Sequence, residues 1–120
     1  MNSQRKGKAG ELEVVNLLHD HGYHSARRTF GQARGGHECP DVECEEFPYW
    51  IEVKRGNLDP SKAHIEATED AEQNGDIRVP VVFSRRNGED WLVTIDALAF
   101  LQLQAAAAAA FALSHVEVLP

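Results

Sequence analysis

Two periodicities dominate the first half of the chain. Leu12, Val14, Val15, Leu17 and Leu18 recur at helical spacing and Gly22 follows as a stop, so residues 9–21 read as an amphipathic helix. Farther on, Ile51 and Val53 alternate with Glu52 and Lys54, the pattern of a strand with one face toward a core. Residues 23–29 and 41–44 read as two earlier strands, and Glu45 to Pro48 as the turn into the third, over residues 49–53. Asp59-Pro60 opens a second helix, which Asn74-Gly75 closes. Residues 79–84 are rich in β-branched side chains, with Pro80 suited to a strand start or an edge. Arg86-Asn87-Gly88-Glu89 is a hairpin turn, and Trp91 to Ile95 the returning strand. Asp96 caps a last helix, whose Leu98, Phe100, Leu101 and Leu103 lead into six alanines, Ala105 to Ala110. The order α-β-β-β-α-β-β-α predicts an α/β (α+β) chain, a mixed sheet with helices on its faces. Residues 1–120 form one domain, with residues 105–120 an Ala-rich helix and tail that is either solvated or a subunit contact.

Composition changes this picture in two places. A chain of 120 residues can bury one ordinary core. We read no apolar run approaching the roughly 20 residues that span a bilayer, and no hydrophobic stretch follows Arg5-Lys6 as a secretory signal would. Two cysteines, Cys39 and Cys44, are too few for a disulfide framework, so the expected setting is intracellular, reducing and cytoplasmic, with no membrane. The net charge of −7 argues against indiscriminate binding to polyanions. Its distribution is uneven, however. Residues 1–36 hold Arg5, Lys6, Lys8, Arg27, Arg28 and Arg34 against Glu11, Glu13 and Asp20, a balance of +3 that leaves −10 for the remainder. A basic third on an acidic body can set a cationic surface beside an acid cluster, as a phosphate backbone requires.

The acids carry the chemistry. Asp41 at the start of one strand and Glu52 on the next form a carboxylate pair suited to a hard cation such as Mg²⁺. Lys54, on the same strand face as Glu52, can hold a water or a phosphate. The plainer reading of Glu-x-Lys is a solvated face with an ion pair. Advancing about 100° per residue, Glu11 falls about 17° from the middle of the first helix's apolar face, whereas Glu13 falls on the opposite, solvated face. An inward carboxylate needs a partner, a metal or a buried lysine, unless Glu11 only complements the helix dipole at the edge of the core. Residues 30–39, with three glycines, Arg34 and His37, form either a flap over a substrate or an ordinary connection. His37, Cys39 and Cys44 lack an evident fourth partner for zinc, and Cys44 reads as a core thiol. Trp50 shares the Glu52/Lys54 face, where it either packs in the core, lies under a metal or meets a base.

Together, Lys6-Gly7, Glu11, His21-Gly22-Tyr23, Arg27, Pro40-Asp41-Val42 and Ile51-Glu52-Val53-Lys54 resemble the archaeal-type Holliday junction resolvases and their phage-encoded relatives, in the PD-(D/E)XK nuclease superfamily. The resemblance spans residues 5–103 and implies a restriction-endonuclease-like core. It puts the active site on Glu11, Asp41, Glu52 and Lys54. Mg²⁺, with Mn²⁺ as substitute, is held by Glu11, Asp41, Glu52 and the carbonyl of Val53. The implied activity is paired nicking of a four-way junction by a homodimer in the cytoplasm, which for a phage-encoded chain is that of the host cell. Arg5, Lys6, Lys8, Arg27, Arg28, Gln32, Arg34 and Arg55 are the expected DNA contacts. The family's short Gly-Ser segment is replaced by a longer loop, which offers Thr29 and Gln32 in place of a serine. Two alternatives remain: a nuclease of the same chemistry acting on other branched, nicked or duplex DNA, and a non-catalytic DNA-binding module.

Overall fold

The structure, a computed structural model, describes residues 3–29 and 39–114, with side chains from residue 7 onward. Its elements are α1 (Ser3–Asp20), β1 (Arg27–Arg28), β2 (Val42–Glu43), β3 (Tyr49–Arg55), α2 (Pro60–Gln73), β4 (Val79–Arg85), β5 (Leu92–Ile95) and α3 (Ala97–Ser114). The strands form one five-stranded mixed sheet in the order β1-β2-β3-β4-β5. Neighbours pair antiparallel except β3 and β4, which run parallel and are joined through α2, as a parallel pair requires. A mixed sheet with three helices is the architecture that the periodicities predict.

The boundaries differ for physical reasons. α1 starts at Ser3 rather than at residue 9. β1 and β2 contract to two residues each, and the chain before β1 is committed to a turn. There Ala26 N–H donates to Tyr23 O, and Ser25 is clasped by the Glu46 carboxylate through its amide (3.0 Å) and its hydroxyl (2.8 Å). β3 and β4 lengthen instead, since their parallel register runs unbroken from Tyr49–Val79 to Arg55–Arg85. Pro80 sits opposite Trp50, one residue into β4 and ahead of the first β4–β5 pair at Val81, the start of a strand being where proline is tolerated.

Alternation along β3 divides the interior into two parts. Ile51 and Val53 face α1 and are sealed by Val14, Val15, Leu18, Val42, Val81 and Phe83. On the other face Trp50 packs against Ala67 and Ala71 of α2. Asp59 caps α2 by accepting from Ser61 N–H (3.0 Å) and Lys62 N–H (3.3 Å), and Gly75, at φ 64°, lets the chain leave it.

α1 meets the sheet on a rotated face. Gly10, Val14, Val15 and Leu18 are buried, while Leu12, expected on the apolar stripe, is exposed. A methyl group on Gly10 would lie 3.3 Å from both Arg55 Cβ and Val53 Cγ1. The helix is therefore close enough for both flanks of that turn to reach the sheet.

α3 continues through the alanine tract, yet no residue of it is buried. It carries no charge over 18 residues and is long and apolar enough to cross a membrane by length and composition, which corrects the expectation that no such run exists. Alanine adds apolar length without bulk, so the run was easy to undercount. The molecule is elongated accordingly, 63 × 34 × 26 Å.

Ile51→Ala removes a side chain with no exposed surface and should cost about 2–5 kcal/mol in urea unfolding. Leu92→Ala, on the edge strand β5 and 66% exposed, should cost under about 0.5 kcal/mol. Equal losses would contradict this placement of the core.

Candidate functional site

Asp41 is placed by backbone bonds on both sides. Its N–H donates to Ile51 O (2.9 Å) and its carbonyl accepts from Thr29 N–H (3.2 Å). Pro40 before it is buried, and its carbonyl accepts from the Thr29 hydroxyl. The register recorded between β2 and β3 is Val42 opposite Ile51, so Val53 N–H lies past the short strand. Asp41 Oδ2 accepts that N–H at 2.8 Å. The side chain thereby continues a ladder that the backbone has left, which holds it against β3.

Glu52 comes from the middle of β3, next to Val53, whose N–H the Asp41 carboxylate accepts, so the two acids are neighbours. Trp50 Nε1–H donates to Glu52 Oε1 at 2.9 Å. Removal from water pushes the Glu52 carboxyl up to about 9; the Asp41 charge adds to this, and the indole and the Lys54 ammonium partly oppose it. Asp41, Glu52 and Lys54 are thus assembled in one place. The bland alternative, an exposed Glu-x-Lys, does not hold, because both side chains are half-buried.

Glu11 does not join them. Among the described residues no three of His, Cys, Asp and Glu lie close enough to hold a metal ion. The reason is the sheet itself: α1 covers the Ile51/Val53 face, whereas Glu52 shares the Trp50 face. Glu11 takes Arg28 as its partner instead, at 3.0 Å, both side chains 17% exposed. Glu13, expected in solvent, is also tucked against the sheet, 3.0 Å from Arg85 Nη1 and 3.4 Å from Arg55 Nε. The close seating of Gly10 brings it there.

The expected DNA contacts fare unevenly. Lys8 is exposed. Arg27 pairs with Glu43 at 2.8 Å, Arg28 with Glu11, and Arg55 with Glu13. Arg5, Lys6, Gln32 and Arg34, and His37 of the zinc constellation, have side chains outside the described residues. Cys44 is buried, as expected of a core thiol, and Cys39 donates to the Thr29 hydroxyl at 3.4 Å. The ring nitrogens of His19 and His21 bond locally, to Ala26 O and Leu17 O. Two clefts of ≈ 210 and ≈ 290 Å³, one around Arg27, Glu43 and Arg78 and the other around Leu58, Ser84 and Arg86, do not include the acid pair. Two features were missed in the sequence. Arg85 carried no signal there; the Trp50–Glu52 bond did, in the i, i+2 spacing that puts both on one face.

No family model and no curated protein matches the chain.

The pair fits a cation on physical grounds. Glu52, largely out of water and beside the Asp41 charge, keeps its proton, and a divalent ion can take the place of that proton. The donor set suits a hard ion, all oxygen. A pH dependence follows. An unfolded glutamate ionises at 4.5, but the native one holds its proton up to about 9, so the native state binds more protons in between and loses stability as pH rises through that window. Thermal melts in chelator should show Tm falling from about pH 5 to pH 9, and Glu52→Gln should flatten the slope. A Tm that rises over that window would refute the retained proton. Arg28→Met, which strands the Glu11 carboxylate, should cost about 1–3 kcal/mol, against under about 1 kcal/mol for the exposed Arg27→Met, both read by urea unfolding.

Proposed function

We propose that the chain is a divalent-cation-dependent DNA endonuclease of restriction-endonuclease-like core, and that its substrate is the four-way junction. The observation that carries this is the placement of the Asp41 carboxylate on Val53 N–H, beside Glu52, with Lys54 on the same face of β3 as Glu52. A bound Mg²⁺ would supply Lewis-acid chemistry, neutralising phosphate charge and making water more acidic. Asp41 and Glu52 would hold it, with the Val53 carbonyl as a further oxygen. Glu11 stays outside the direct set and anchors Arg28. Lys54 would orient the attacking water or meet the phosphate oxygens. Arg27 and Lys8, the more exposed cations, are the first candidates for backbone contacts, which position DNA without reading its bases. The free thiols Cys39 and Cys44 suit action inside a cell.

The same reading calls for a homodimer, since a junction offers two symmetry-related strands. The uncharged, unburied α3 and the neighbouring edge strand β5, with Leu92 and Val93 exposed, supply a surface for a second copy. A second copy is favoured over a bilayer because the open sheet edge at β5, next to α3, can pair with another chain but would leave its backbone groups unsatisfied in lipid.

A labelled four-way junction with Mg²⁺ should be nicked by the wild type and at least about 100-fold more slowly by Asp41→Asn, Glu52→Gln and Lys54→Met. Excess linear duplex should compete poorly. Equal rates for wild type and Asp41→Asn would end the enzyme reading, and efficient competition by duplex would replace the junction with plain DNA. Sedimentation should give a dimer that Leu98→Glu/Leu101→Glu converts to monomer, and flotation of the wild type with vesicles would overturn the choice of partner.

A further inference from the structure

We infer that Trp50 is a positioning residue for Glu52, acting through its indole N–H; this rests on the cation-site reading of Asp41 and Glu52. Trp50 is 1% exposed and lies in β3 opposite Pro80. Its ring is fixed from several directions. Ala67 and Ala71 of α2 pack against it, and the Arg78 guanidinium carbon lies 5.6 Å from the ring centroid. Arg78 is in turn held by Asp76 at 2.7 Å, so the group over the ring is itself restrained.

A buried indole must place its one donor on an acceptor. Here the acceptor is Glu52 Oε1, at 2.9 Å, two residues along the same strand face. An indole nitrogen can donate but never accept, so the contact dictates which part of Glu52 is presented to it. A glutamate has three rotatable bonds and ordinarily samples many rotamers, and with the indole in place one oxygen is set before any ligand arrives. Outer groups that orient a ligand's carboxylate in this way typically contribute about 10–100-fold to metal affinity. Space-filling alone would not need the nitrogen, since phenylalanine also fills an apolar slot between two alanines.

The test uses the full chain and Mn²⁺ as probe, with binding followed by calorimetry. Trp50→Phe keeps a ring against Ala67 and Ala71 but removes the donor. Its Mn²⁺ affinity should fall about 10-fold or more under conditions where urea unfolding shows the variant to be still fully native. If the wild type binds Mn²⁺ and Trp50→Phe binds it equally well, the positioning role is wrong and the cation site stands. If the wild type binds no Mn²⁺, the cation-site reading fails and takes this inference with it. A second arm leaves residue 50 intact. In the proton–nitrogen spectrum of the wild type, with two tryptophans, Glu52→Ala should move the Trp50 indole resonance and leave that of Trp91 in place. An unmoved Trp50 signal would overturn the inference even where Trp50→Phe does not fold.

Discussion

The hydrogen bond from Val53 N–H to the Asp41 carboxylate joins fold and site, and much of the structure depends on it. β2 is short, and β3 runs on past the pair that β2 makes with it. A strand left half-paired in a protein interior must find acceptors elsewhere, because an unpaired buried amide costs about as much as a lost hydrogen bond. Asp41 provides one with its side chain and receives its own placement in return: its N–H donates to Ile51 O, its carbonyl accepts from Thr29 N–H, and its carboxylate accepts from Val53 N–H. The acid is held where the ladder ends, and Glu52 is the next outward-facing residue of the strand it touches. The same bond that completes the sheet thus brings two carboxyls together.

Such closeness would be unfavourable without compensation. The indole of Trp50 and the ammonium of Lys54 both favour the charged form of Glu52, and they do not prevail over desolvation and the charge of Asp41. The balance leaves the pair carrying a proton in neutral solution, so any cation it accepts must compete with that proton. A half-buried acid pair of this kind is poorly explained as a stabilising feature, since replacing it by apolar groups of similar size is commonly neutral or better. An acid held this far above its ordinary ionisation range beside a second carboxylate is the kind of arrangement that functional sites use.

How much of this was legible beforehand can be judged element by element. Alternation in Ile51-Glu52-Val53-Lys54 is a local property, and it transferred directly to the structure: Ile51 and Val53 are buried, Glu52 and Lys54 only partly so. The Asp59-Pro60 cap and the Asn74-Gly75 stop of α2 are local too, and both are where the pattern put them. Glu11 shows the limit. Helical phase correctly turned it inward, but phase does not say which face of the sheet the helix will cover. α1 lies on the Ile51/Val53 face, so the inward carboxylate met Arg28 rather than the acid pair. Glu13 and Arg85 lie 72 residues apart, and nothing in either neighbourhood encodes their contact. The all-round exposure of α3 is likewise a tertiary outcome, since alanine's helix propensity decides that the segment is helical and says nothing of what it touches.

The paired arginines bear on how an acidic protein could hold a polyanion. Arg27, Arg28 and Arg55 each lie against a glutamate, and these pairs differ in depth. A phosphate that drew Arg28 away would strand Glu11, whose side chain is only 17% exposed. That carboxylate would then be left partly desolvated without its cation, an outcome that usually costs more than the new contact returns. Arg27 is different: its side chain is 67% exposed, and Glu43 keeps Arg78 at 3.5 Å if Arg27 leaves. The structure therefore ranks its own cations. Arg27 and the exposed Lys8 can turn toward a backbone at little cost, while Arg28 and Arg55 serve chiefly to hold α1 on the sheet and so keep β3, with its acid, in place.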